Sequence, residues 1–249
     1  MKGHREAGLL LKYTVAFVVF LALTVAYGCN GGGGKSGGNG DGNGGGTTNP
    51  ETEFPLNEIN FDAPPGYYAH FTGTGTITIE GTEYEITGSY SIEVKDEVYL
   101  ESYDTSATPV EALLDLTVPE TNQTFTIKTT TYVADGEPLY QFIEPDNETL
   151  VPIEINPLPA VGQLGDAGDM TSWLYENGDT ITGVWTLKSA AAGFINLEIA
   201  YDFKNAQDDF TGVETDTYTI NEEGTIVTTD VLYHDYEDDI IVNFSADRD

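Results

Sequence analysis

The chain has 249 residues, 42 acidic and 9 basic, for a formal net charge of −33. Such an excess of carboxylates repels phosphate backbones and excludes a nucleic-acid-binding protein. One cysteine and three histidines exclude an internal disulfide and leave no spacing for a zinc site.

Lys2, His4, Arg5 and Lys12 make a basic start, and Tyr13 to Tyr27 is an uncharged, mostly apolar run of 15 residues. A membrane-spanning helix needs about 20 such residues, whereas a run of this length suits the core of a secretory signal. It ends in Val25-Ala26-Tyr27-Gly28-Cys29. This stretch resembles the lipobox of bacterial lipoproteins, with a small residue just before a cysteine. The resemblance covers the first 29 residues. It implies removal of residues 1–28 as a signal peptide, a diacylglycerol on the Cys29 thiol, and a membrane-anchored chain outside the cytoplasm. An Asp after the cysteine favours inner-membrane retention in such lipoproteins. Asn30 stands there instead, which points to the outer membrane or the cell surface. Without residues 1–28 the chain keeps 6 basic and 41 acidic residues, a net charge of −35.

Residues 29–53 read as the lipidated cysteine and a tether, with 11 glycines between 31 and 46. A flexible chain of this length reaches about 25 Å. The tether contains "GGGGKS", but a phosphate-binding loop ending at Lys35-Ser36 needs a glycine where Cys29 stands, and a helix after it where glycines continue.

From Phe54 onward the chain is rich in Tyr, Phe, Ile, Val and Thr, the residues of strands. Ser89–Lys95 alternates, with Tyr90, Ile92 and Val94 on one face, and Ile195–Phe203 alternates over nine residues. Thr76–Glu80, Phe125–Val133, Ile181–Lys188, Thr217–Ile220 and Ile240–Phe244 add further strands, with turns at Gly81, Asn177-Gly178 and Glu223-Gly224. One wet and one packed face per strand predicts an all-β fold of antiparallel sheets, a sandwich or a full or half barrel, with little helix. Thr108-Pro109-Val110-Glu111 carries a helix-start pattern and predicts a turn or two of helix over Ala112–Leu116.

Prolines 145, 152, 157 and 159 mark 146–162 as a connector between two β-rich halves, 54–145 and 163–249. The halves resemble one another. Ile86–Ile92 matches Ile181–Leu187 at an offset of 95, and Thr124–Ile127 matches Thr217–Ile220 at 93. Leu139-Tyr140 matches Leu232-Tyr233, also at 93. The matches suggest a duplicated unit of about 94 residues.

Chemistry is thinly marked. His70 and His234 have no evident partner and read as strand or surface residues, and G-x-S-x-G does not occur. Asp235, Glu237, Asp238 and Asp239 crowd a turn and are the candidate ligands for calcium, a cation that accepts irregular loops of oxygens. Gly165-Asp166-Ala167-Gly168-Asp169 is a second acidic loop. Tyr67, Tyr68, Tyr99, Tyr103, Trp173, Tyr175 and Trp185 could line a groove, with Trp173 and Trp185 facing each other across one hairpin. The expected protein is a lipid-anchored envelope module that binds or scaffolds a ligand or protein partner without being an enzyme. The alternatives are a calcium-stabilised binding module and an envelope-polymer hydrolase working through paired carboxylates.

Overall fold

The computed structural model describes residues 53–56, 63–144 and 147–249. The signal peptide, Cys29 and most of the tether lie outside the described residues. The strands are β1 (Phe54–Pro55), β2 (Tyr68–Ile79), β3 (Thr82–Val94), β4 (Val98–Leu100), β5 (Thr105–Val118), β6 (Gln123–Ala134), β7 (Glu137–Glu144) and β8 (Glu148–Glu154). They continue with β9 (Val161–Gly162), β10 (Ala167–Asp169), β11 (Ser172–Tyr175), β12 (Thr180–Ser189), β13 (Phe194–Lys204), β14 (Phe210–Asn221), β15 (Ile226–Asp235) and β16 (Ile240–Arg248). The fold is all-β and every pairing is antiparallel.

Twelve strands close into a barrel. The wall runs β2-β3-β5-β6-β7-β8-β11-β12-β13-β14-β15-β16, and β16 pairs back on β2. It therefore consists of two consecutive runs of six strands. The matched stretches fall on strands of equal rank in each run: β3 and β12, β6 and β14, β7 and β15. The third match does not share a face. Tyr233 is buried, whereas Tyr140 stacks on Tyr132 and Tyr103 on the outer side of the wall. A bulge between Tyr132 and Val133 changes the register there.

Inward positions follow from the period of two. β13 buries Ile195, Leu197, Ile199, Tyr201 and Phe203, and β3 buries Ile86, Tyr90, Ile92 and Val94. Trp173, Tyr90, Tyr201, Tyr218, Phe71 and Phe244 fill much of the interior. Outward positions carry Glu83, Glu85, Glu93, Glu111, Asp115 and Glu198, with lysines 95, 128 and 188 held in ion pairs to neighbouring glutamates. This polar outer wall faces water; a barrel embedded in lipid shows apolar residues there.

Two elements differ from their sequence patterns. Thr105–Val118 is a 14-residue strand rather than a helix. Val110, Ala112, Leu114, Leu116 and Val118 alternate into the core, and burying that row against β3 and β6 outweighs the capping pattern and the helix propensity of Ala and Leu. Within the supposed connector, Glu148–Glu154 is a wall strand. Its Pro152 lies opposite Trp173 beside a bulge, where a missing N–H is tolerated.

Phe54 and Leu56 are buried, and β1 pairs with β9 to form a two-stranded sheet. The Leu56 amide donates to the carbonyl of Ala160, and Pro55 lies against Gly224. The chain thus enters the barrel at the end that carries the β12–β13 and β14–β15 turns.

Candidate functional site

On the outer wall, β12 is met along one edge by two short strands in succession, β10 and then β11. The break between them, at Met170 and Thr171, opens a groove of about 380 Å³. Val184 and Ala200 form its apolar floor with Met170. Glu154, Asp169 and Asp202 supply carboxylates, and among the described residues no lysine or arginine lines it. The register explains the gathering. Asp169 lies opposite Val184, Val184 opposite Ala200, and Thr182 opposite Asp202, so these side chains share the outer face of three neighbouring strands. Asn156 pins the rim, its backbone N–H donating to Thr171 Oγ1 at 3.0 Å. The groove lies in the half of β12 and β13 away from the end where Phe54 enters.

In the turn after β15 the acids divide between the interior and the surface. Asp235 is buried, and its Oδ1 accepts from the backbone N–H groups of Glu237 at 2.8 Å and Asp238 at 3.1 Å. Its Oδ2 accepts from the Tyr233 hydroxyl at 3.2 Å. Glu237, Asp238 and Asp239 are exposed, and Asp239 adopts a φ of 51° that completes the turn. Among the described residues no group of three or more His, Cys, Asp or Glu side chains is arranged to hold a metal ion. Asp235→Ala should therefore cost about 1–2 kcal/mol as a lost cap. Thermal melts should show a drop of about 2–8 °C that is the same with and without calcium. A drop seen only in calcium would support these acids as ligands.

In the second acidic loop, Asp166 accepts from the Gln163 N–H at 2.8 Å, while Asp169 joins the groove. His70 sits on the outer face of β2, 2.5 Å from Asp249. Asp249 also accepts from the Thr72 hydroxyl at 2.8 Å, and these two bonds hold its carboxyl below the usual range. His234 lies against Tyr236, with ring centres 4.5 Å apart. The aromatic residues do not line one groove. Trp173 and Trp185 are buried, and Tyr68, Tyr99 and Tyr103 are exposed. Trp173 lies opposite Ile181 and Trp185 opposite Gly168, so the tryptophans do not face each other across the hairpin.

The sequence pattern left one feature unread. Glu214 and Asp216 on β14 point into the barrel and are only 1 % and 0 % exposed. Among the described residues neither oxygen of Glu214 has a hydrogen-bond partner, nor does Asp216 Oδ1. Asp216 Oδ2 accepts a long bond of 3.4 Å from Tyr218. Burial, with the charge of Asp216 beside it, pushes the Glu214 carboxyl well up. Burial pushes Asp216 up to about 7, partly offset by the adjacent Glu214 carboxyl and the Tyr218 hydroxyl. Both acids are in phase with Tyr218 and Ile220 on the same strand, and that phase is the signal that could have found them.

No known protein family, curated protein or solved structure matches the chain.

Proposed function

We propose that the protein is a membrane-tethered binding module of the cell envelope that captures a cationic partner bearing apolar side chains. The groove carries this reading: three carboxylates, Glu154, Asp169 and Asp202, surround an apolar floor of Met170, Val184 and Ala200. Next to it the outer wall exposes Val151 and Ile153. A second copy of so acidic a chain would be repelled, whereas a basic amphipathic segment would be steered in. The resemblance around Cys29 supplies the anchor and the glycine run the leash. The position of the groove, away from the tethered end, supports display towards a partner.

The test uses the full chain and a peptide alternating lysine and leucine as probe. Titration calorimetry should show binding at low salt that weakens about tenfold or more in the Asp169→Asn, Asp202→Asn double variant. A glutamate-for-lysine peptide should not bind, and Cys29→Ser should move the chain from the membrane to the soluble fraction. Equal binding by wild type and variant would remove the groove from the reading. The grouping of three carboxylates also favours a second reading, hydrolysis of an envelope polymer. Cleavage of isolated envelope that is lost on Asp202→Asn would support it.

A further inference from the structure

We propose that the β12–β13 turn, with Val161 and Leu164 beside it, rests the barrel on a zwitterionic lipid surface. This docking presupposes the membrane tether proposed above and adds a second contact to it.

Ser189-Ala190-Ala191-Ala192-Gly193-Phe194 carries no charge. Every other connection between successive strands of the barrel wall contains at least one Asp or Glu. In a chain with 42 acidic residues, an acid-free connection is the exception. Ala191, Ala192 and Phe194 are exposed. The Phe194 N–H donates to the Ala191 carbonyl at 3.0 Å, and Gly193 takes the positive φ of 84° that closes such a turn. The alternation of β13 buries Ile195, so Phe194 points outward at the rim.

Leu164 is 64 % and Val161 48 % exposed. The amide of Gly165, next to Leu164, donates to the carbonyl of Leu187, and Phe194 precedes Ile195, which lies opposite Ser189. Leu164 and Phe194 therefore flank the last residues of β12. Val161 pairs with Pro55, where the chain enters the barrel. Residues 1–52, with the apolar run and Cys29, lead in at this point, so an anchor made there draws this end to the bilayer. Exposed apolar clusters mark membrane or protein contacts, and the entry of the chain selects the membrane. The neighbouring carboxylates select the lipid. Glu222 is exposed, with Oε1 3.9 Å from where a Cβ on Gly193 would lie, and exposed Glu223 follows it. Anionic headgroups repel these acids, whereas zwitterionic ones carry no net charge. One acyl chain holds a protein weakly, and buried apolar surface adds to that hold. Seated this way, the barrel turns the outer groove away from the lipid.

For the test, the full chain is coupled through its single thiol, Cys29, to maleimide-bearing lipid in phosphatidylcholine vesicles. Attachment then does not depend on the natural modification, and the tether itself is read separately, by fractionating cells that carry Cys29→Ser. The indole of Phe194→Trp should be quenched by brominated acyl chains about twofold or more beyond the parent chain. Trp173 and Trp185 are buried and supply a constant background. Phe210→Trp, exposed at the opposite end of β13, should show no added quenching. Ala191→Asp with Ala192→Asp, added to Phe194→Trp, should abolish the quenching while the circular dichroism stays the same. Equal quenching at 194 and 210 would mean unoriented contact and overturn the docking. No quenching at 194 would overturn it in favour of a protein partner.

Discussion

Gly75→Ala is expected to lower the melting temperature by about 6–12 °C, corresponding to about 3 kcal/mol. Gly75 faces inward on β2, opposite Phe244 of β16 and Ile86 of β3. A Cβ there would lie 2.0 Å from the carbonyl oxygen of Asn243 and 2.8 Å from the Cα of Phe244. Two residues earlier, a Cβ on Gly73 would meet the carbonyl oxygen of Ser245 at 2.1 Å, and one on Gly88, opposite Gly73, the carbonyl oxygen of Asp115 at 2.5 Å. The obstacles include backbone, which cannot swing aside as a side-chain tip can. Neighbouring strands approach closely here, and glycine leaves room for that approach. Thr74→Ala, on the exposed outer face of the same strand, should change stability by no more than about 0.5 kcal/mol. If thermal melts place Gly75→Ala beside Thr74→Ala, the approach of the strands is not as tight as described.

In metal-free buffer, stability should fall as pH rises from about 4 through about 7, more steeply than surface charge alone produces. In the unfolded chain Glu214 and Asp216 ionise in the ordinary carboxylate range. In the folded barrel Asp216 keeps a proton up to about 7, and Glu214 is also raised. Over that window the native state binds more protons than the unfolded state, so stability declines by about 1.4 kcal/mol per pH unit for each retained proton. The contribution is complete below the unfolded value and is lost on rising through the folded one. The loss belongs to the pair as a unit, because burial raises both carboxyls and each acts on the other. Glu214→Gln with Asp216→Asn, neutral throughout, should flatten the slope by at least one proton's worth and raise stability at pH 8. Urea midpoints across the window measure this. Identical slopes in the two proteins would mean that the pair does not titrate within the folded barrel.

Much of the fold was legible in the sequence because a strand with one buried face writes that face every second residue. Ile195–Phe203 and Ser89–Val94 bury the residues their alternation assigns. Gly81, Gly178 and Gly224 adopt positive φ at the predicted turns. The failures share a cause. Around Thr108, capping residues and Ala-Leu content spoke for helix, and only the neighbouring strands β3 and β6 made the alternation of 110–118 decisive. In 148–154 prolines spoke for a connector, and only a bulge in the partner strand made room for Pro152.

The sequence by itself determined that this is an all-β protein of alternating strands with an acidic, water-facing exterior. These properties depend on local period and composition. Tertiary structure alone decided that the wall closes on itself, that Asp169 and Asp202 share one groove, and that Glu214 and Asp216 are sealed inside. Each of these depends on which strand lies beside which, and no single strand carries that information.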